Sequence, residues 1–286
     1  MSPPPVRELP TLIQNEQSNP LTPQTTRITF ERRRVNREPW TTNPNQQPHF
    51  SVIKAVLFDI DGTLIGTGGA GVRAFERTSA TVFGIPNGTS HLRFAGRTDT
   101  GLIKEFFRHH KIQDTRENTG RFLEAYVHFL DHHLATTSGC MCPGVTHWLN
   151  ELERMPNPPL VGLLTGNIRL GAEIKLRHFG LWGSFRVGAF GCDHADRNEL
   201  AEIAMRRCFN LLGAPLRGDE LLVIGDTPLD IECARAIGAQ CLAVATGNYT
   251  LEELRQHQPT WAVETLEAIS PVITRVGLPH GSTTVR

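Results

Sequence analysis

From residue 54 onward the chain repeats one pattern, and few folds accommodate it. Short apolar runs at 55–58, 160–164, 185–190, 221–224 and 241–244, with a weaker one at 261–263, are each four to six residues long or nearly so. Helix-length segments separate the last five. Runs that are apolar throughout, Arg186 in the third excepted, suit strands buried on both faces. Strands alternating with helices predict an α/β fold: a Rossmann-like parallel sheet covered by helices on each side. In such sheets ligands bind beyond the carboxyl ends of the strands. The positions that matter are therefore Asp59, Thr165, the stretch 191–197 and Asp226.

The pattern breaks between the first two strands. Residues 70–142 carry helical periods at 72–83, 100–110 and 117–134, and no convincing strand. An insert of that length is too long for a loop and reads as a small helical cap. Gly66, Gly68, Gly69 and Gly71 at its entrance and Pro143-Gly144 at its exit could serve as hinges. The expected organisation is a catalytic core at 52–69 and 143–280, a cap at 70–142 and a short tail at 281–286. Residues 1–51 hold 9 of the 19 prolines and none of the 26 glycines, with no apolar period. Such a segment buries too little surface to offset its chain entropy, so a disordered tail is expected there. Its Arg32-Arg33-Arg34 triplet reads as solvated charge. A translation start near Val52 is the other explanation for this tail.

Composition narrows the function classes. The 29 basic and 29 acidic side chains cancel, which argues against a nucleic-acid partner. No stretch reaches 18 consecutive apolar residues and the N-terminus has no apolar signal core, so no membrane partner is expected. Six cysteines in 286 residues make no disulfide framework; reduced thiols in a cytoplasmic protein, monomeric or homodimeric, are expected. The basic residues are 25 Arg and only 4 Lys, so a lysine has few places to act.

The strand ends carry the chemistry. The first run leads into Asp59-Ile60-Asp61-Gly62-Thr63. In an extended segment residues i and i+2 face the same side, so both carboxylates would face one pocket. The alternative is a solvated turn. Thr165-Gly166-Asn167 offers a hydroxyl, a bare backbone and an amide, suited to phosphate oxygens or equally to a turn with a helix cap. Asp226 and Asp230 follow the fourth run one helical turn apart. Four converging carboxylates repel unless a cation sits among them, and hard oxygens without nearby His or Cys favour Mg²⁺ over zinc.

Asp59-Ile60-Asp61-Gly62-Thr63-Leu64, Thr165-Gly166-Asn167 and Gly225-Asp226-Thr227-Pro228-Leu229-Asp230, in this order, resemble motifs one, two and four of the haloacid dehalogenase-like (HAD) hydrolase superfamily. The resemblance covers roughly 54–270. The insert, including Gly96-Arg97-Thr98-Asp99, is similar to the helical type-one cap of the phosphoglycolate phosphatase-like group. It implies a Mg²⁺-dependent phosphatase acting on a small phosphorylated metabolite. Asp59 would be the nucleophile that forms an aspartyl-phosphate, and Asp61 the general acid and then base. Mg²⁺ would be held by Asp59, the Ile60 backbone carbonyl and Asp226, with Asp230 assisting directly or through water and Asp61 near the metal without ligating it. Thr165, Gly166 and Asn167 would hold the phosphoryl oxygens. Asp61 favours a phosphatase over carbon–halogen cleavage. A sugar-phosphate phosphomutase and a non-catalytic phospho-ligand binding module are the alternatives.

The third motif departs from the family, which usually has a lysine there. No lysine follows Lys175, which lies on the helix after motif two, so the best candidate is Arg197, after the 185–190 run and opening a helix. An arginine is always charged and can grip two oxygens. Its bland alternative is an exposed arginine paired with Asp193 or Asp196. Arg97 is a weaker candidate for an anionic substrate group; Arg73 and Arg93 read as surface charge. Cys140-Met141-Cys142 with nearby histidines lacks a second cysteine pair for zinc, and His128 with His132 reads as a solvated helix face.

Overall fold

A computed structural model describes residues 52–271. The tail 1–51, its Arg triplet, and the ends 272–280 and 281–286 lie outside the described residues. The element order begins with β1 (Ala55–Phe58) and β2 (Ile65–Gly66), followed by α1 (Ala70–Phe83), α2 (Asp99–His109) and α3 (Arg116–Thr136). Then come β3 (Cys140–Met141), α4 (Val145–Arg154), β4 (Leu160–Leu164), α5 (Arg169–His178) and β5 (Val187–Ala189). The chain closes with α6 (Arg197–Leu212), β6 (Leu221–Gly225), α7 (Pro228–Ala236), β7 (Gln240–Val244), α8 (Leu251–Gln256) and β8 (Trp261–Val263).

Six strands form one sheet in the order β5-β4-β1-β6-β7-β8. Every pairing in it is parallel. The chain starts at β1, runs outward through β4 and β5, then returns to β6 on the other side. That reversal opens a crevice beyond the carboxyl end of β1. The uniform apolarity of the runs has a direct cause: alternate residues face two different cores. Val56, Phe58, Leu163, Leu222, Ile224 and Val244 pack with Trp148 of α4 and Leu176 of α5. Ala55, Leu57, Leu164, Val223 and Ala243 pack with Leu200, Ala204 and Cys208 of α6. Trp148, fully buried, satisfies its indole by donating to the carbonyls of Leu266 and Ile269 at 2.9 and 2.8 Å.

The helical insert has its own core. Phe75, Phe106, Phe107, Phe122 and Tyr126 converge between α1, α2 and α3. Phe75 lies 4.9 Å from Phe122 and 5.0 Å from Tyr126, centroid to centroid. Thr98 and Thr115 cap α2 and α3, each hydroxyl accepting a backbone N–H at 3.1 Å. One sequence expectation is corrected here. The region 70–142 does contain a strand, since Cys140–Met141 pairs antiparallel with Ile65–Gly66. Two residues are too few to show a period, and this ribbon closes the insert where the chain leaves and rejoins the sheet. The third run is also shorter than 185–190, because Phe185 falls in the turn before β5 and Phe190 in the turn after it.

Candidate active site

Asp59 leaves the buried end of β1 with its N–H donating to Ile224 O at 2.9 Å. The chain then turns tightly: Leu64 N and Ile65 N both donate to Ile60 O, at 2.9 and 3.1 Å. Gly62, at φ +84°, makes the turn possible, and a Cβ there would strike the Asp226 carboxylate. The Ile60 carbonyl, which the resemblance implies as a metal ligand, points into this turn and accepts both of these N–H groups. Thr63, buried, donates to Asp226 Oδ1 at 3.1 Å.

Asp59, Asp226 and Asp230 are all buried, and each offers a carboxylate oxygen within 4.8 Å of the others. Arg197, the first residue of α6, reaches into this group. Its Nη2 donates to Asp59 Oδ1 at 2.8 Å, to Asp230 Oδ1 and to Leu164 O. Nη1 donates to Gly96 O at 3.2 Å. The exposed-arginine alternative fails: Arg197 is buried, and Asp193 pairs with Arg207. Asp230 Oδ2 accepts from Thr227 N and Thr227 Oγ1, at 3.1 and 2.7 Å. Gly225 gives it room, since a Cβ there would collide with the Asp230 carboxyl.

Burial pushes the Asp59 carboxyl up to about 6; Arg197 pulls it back and the Asp230 charge adds to the rise. Burial, then the Asp59 and Asp230 charges, hold Asp226 well above the usual range. Burial opposes the charge on Arg197, but Asp230 and Asp59 outweigh it and raise its pKa. Three buried carboxylates against one cation leave an excess of negative charge. The donors are all hard oxygens, so a divalent metal ion fits the site.

Thr165, Gly166 and Asn167 lie after β4, close to the carboxylates. Asn167 Nδ2 donates to Asp61 Oδ2 at 2.8 Å and to Thr165 Oγ1 at 2.9 Å. Gly166 has a reason the sequence did not reveal. A Cβ there would strike the Arg97 carbonyl, because the segment around Arg97 and Thr98 lies directly on it. That segment docks on the sheet side through Asp99 N to Gly166 O and Ile168 N to Asp99 Oδ2, both 2.8 Å, and Thr98 Oγ1 to Ala195 O, 2.7 Å. Burial, opposed by the Lys175 charge, raises Asp99 to about 6.

A cavity of about 450 Å³ opens above these groups. Asp59, Asp61, Asn167, Arg197 and Asp226 line its floor, and Val72, Phe75, Phe94 and Tyr126 of the insert line its roof. Arg97 lines it too, with Nη2 bound to Glu105 at 2.8 Å. Arg73 is turned away to Gly68 O and Thr137, and Arg93 is exposed outside the cavity.

Lys175 is the residue that sequence reasoning missed. It projects from α5 and is buried, bonding both Asp61 oxygens and Asn167 Oδ1. The signal was present: Lys175 shares the inward face of α5 with Ala172 and Leu176, where a lone lysine needs a buried partner. Away from the cavity floor, His91, His109 and His110 bring ring nitrogens together. The His91 and His109 rings stack at 3.7 Å and 14°, so their in-plane lone pairs do not converge on one ion. The six cysteines are unpaired. Among the described residues no helix is long and apolar enough to cross a membrane.

Residues 56–244 match the family described as haloacid dehalogenase-like hydrolase. The chain is similar to Probable phosphatase IndB of Dickeya dadantii, 27% identical over 75% of this chain and 90% of that protein. It is also similar to Phosphoglycolate phosphatase 1 of Pseudomonas aeruginosa, 24% identical over 76% of this chain and 79% of the relative. Among solved structures, CbbY from Rhodobacter sphaeroides in complex with phosphate superposes with a TM-score of 0.59 at 21% identity, over 75% of this chain and 95% of that one.

Proposed function

The chain belongs to the haloacid dehalogenase-like hydrolases, and from that premise we propose that it is a phosphatase hydrolysing a small phosphomonoester through an aspartyl-phosphate on Asp59. The observation that carries this reading is the Asp59 carboxylate. It sits buried at the crevice of the sheet, on the cavity floor, with Arg197 at 2.8 Å. The phosphatase names of the relatives agree with it.

An oxygen of Asp59 attacks phosphorus, and the bond to the ester oxygen breaks. Asp61 gives that oxygen its proton. The resulting Asp61 carboxylate then takes a proton from water, which attacks phosphorus and releases Asp59 and inorganic phosphate. Asp61 suits this exchange because its side chain is 42% exposed while Asp59 is 8% exposed. Arg197 offsets the repulsion between the Asp59 carboxylate and the phosphoryl group. The backbone at Gly166 would hold a phosphoryl oxygen, with Thr165 behind it, fully buried and accepting the Asn167 backbone N–H. The Asn167 amide is occupied by Asp61 and Thr165, so its side chain orients neighbours rather than gripping phosphate. Asp59 and Asp226 would hold Mg²⁺, with Asp230 supporting them through Arg197 and Thr227. The ion would supply positive charge against the phosphate dianion.

Residues 70–142 act as a cap over a core at 52–69 and, among the described residues, 143–271. The cap supplies the cavity roof, and Arg97 is its candidate for a charged substrate group. The protein's six unpaired cysteines fit a reducing compartment such as the cytoplasm. The test is phosphate release from p-nitrophenyl phosphate and a broad panel of phosphate esters with Mg²⁺. Release by the wild type and none by Asp59→Asn is the expected result. Release by Asp59→Asn at the wild-type rate contradicts the reading, as does no release from any ester. Conversion of a hexose 1-phosphate to its isomer without free phosphate would make the protein a mutase instead.

A further inference from the structure

Two cations meet the site from two different helices, and they serve different carboxylates. Arg197 holds Asp59 and Asp230. Lys175 holds Asp61, with Nζ 2.8 Å from Oδ1, 2.7 Å from Oδ2 and 2.6 Å from Asn167 Oδ1. An ammonium has three N–H donors. Here three acceptors take them, so none is left for a phosphoryl oxygen. Lys175 is 4% exposed by side chain, so its alternative to these contacts is an unpaired buried charge. Asn167 closes the arrangement. Its carbonyl oxygen accepts from Lys175 while its Nδ2 donates to Asp61 Oδ2 and to Thr165 Oγ1. Asp61 itself is exposed on the cavity side. Without Lys175 only the Asn167 amide would hold this carboxylate against turning into solvent.

We propose that Lys175 is a positioning residue, which with Asn167 fixes the Asp61 carboxylate in the orientation that serves the leaving oxygen and the attacking water. The inference rests on the phosphatase reading of this site. It divides the electrostatic work: Arg197 for the nucleophile, Lys175 for the acid–base residue.

A leaving-group comparison combined with a double-mutant cycle tests it. Wild type, Lys175→Met, Asp61→Asn and the double variant are assayed with Mg²⁺ on p-nitrophenyl phosphate and on phenyl phosphate, whose leaving group depends more on a proton. The cycle is read on whichever ester the wild type hydrolyses fastest, panel members included. General-acid contributions are about 10²–10⁴-fold, so Lys175→Met is expected to lower kcat/KM about tenfold on the nitrophenyl ester and about a hundredfold on the phenyl ester. The Asp61→Asn background should lose less than about twofold more on removal of Lys175, because residues acting as one unit are not additive. Lys175→Gln runs in parallel in case the Met variant does not fold. Equal loss on both esters, full additivity with Asp61→Asn, or a raised KM at unchanged kcat overturns the proposal while leaving the phosphatase reading intact. A wild type that releases phosphate from no ester in the panel overturns both.

Discussion

Arg197 Nη2 lies 2.8 Å from Asp59 Oδ1, a contact that spans 138 positions of sequence and joins the start of α6 to the end of β1. Arg197 also faces Asp230, so one buried guanidinium stands between two buried carboxylates. Removing one partner of such a group leaves uncompensated charge. Arg197→Ala should therefore cost about 3–5 kcal/mol of stability and at least about 10²-fold in kcat. Arg197→Lys keeps the charge but loses the fork, and should fall between. Chemical denaturation and steady-state kinetics on the same preparations check both. Near-full activity in Arg197→Ala would remove Arg197 from the mechanism.

The proposed Mg²⁺ site ties metal binding to pH. In the metal-free protein Asp59 titrates at about 6 through burial, with Arg197 opposing and Asp230 reinforcing, against 3.8 in a free chain. The folded state then binds the extra proton between about pH 4 and 6, so metal-free stability declines as pH rises through that window. Mg²⁺ requires ionised carboxylates and displaces those protons. The rise in Tm on adding Mg²⁺ should be larger at pH 7.5 than at pH 5.5, and calorimetry should detect proton release near pH 6. A Tm rise independent of pH would show that Mg²⁺ binds elsewhere.

Asp99 provides a second, metal-independent titration. Burial raises it from 3.8 to about 6, with the Lys175 charge opposing, while it accepts the N–H of Ile168 at 2.8 Å. The folded pKa exceeds the unfolded one, so its contribution is greatest at low pH and is lost as pH rises through about 6. Asp99→Asn can still accept that N–H. It should flatten the stability profile between pH 4 and 7 and stabilise the protein at pH 7 by roughly 1–3 kcal/mol. Urea melts at several pH values read this directly.

Gly166 tests how tightly the insert seats on the sheet. An added Cβ would lie 2.8 Å from the Arg97 carbonyl carbon and 3.1 Å from Thr98 Cα, as well as striking the Arg97 oxygen. The strap cannot simply move off, because Asp99 N donates to Gly166 O at 2.8 Å. Gly166→Ala should cost about 1–3 kcal/mol as overpacking. Hydrogen exchange should show faster exchange at Asp99 and Ile168, with the sheet core unchanged. Protection at wild-type levels would mean that the strap has room.

The parallel sheet was legible because its strands are buried on both faces, so each apolar run stands out from its surroundings. The carboxylates Asp59, Asp61, Asp226 and Asp230 were legible because acids at strand ends break those runs abruptly. Arg197 could be located by position, but not its contacts, since nothing local to α6 points to a residue 138 positions away. Lys175 was passed over because it sits within a helix rather than at a strand end. The turn bonds of the Ile60 carbonyl are not legible in the sequence, because a tight turn is decided by backbone bonds, and Leu64 and Ile65 claim that oxygen. The β2–β3 ribbon, two residues per strand, is too short to leave a period.

Acid quenching of the protein during turnover, followed by borohydride reduction and peptide mass mapping, asks where the phosphoryl group rests. An acyl phosphate is reduced to the alcohol, whereas a free carboxylate is not. Reduction confined to the side chain at position 59, and absent from Asp59→Asn, is the expected result. Reduction at another acidic residue, or none while phosphate is being released, would contradict a phosphoryl intermediate on Asp59.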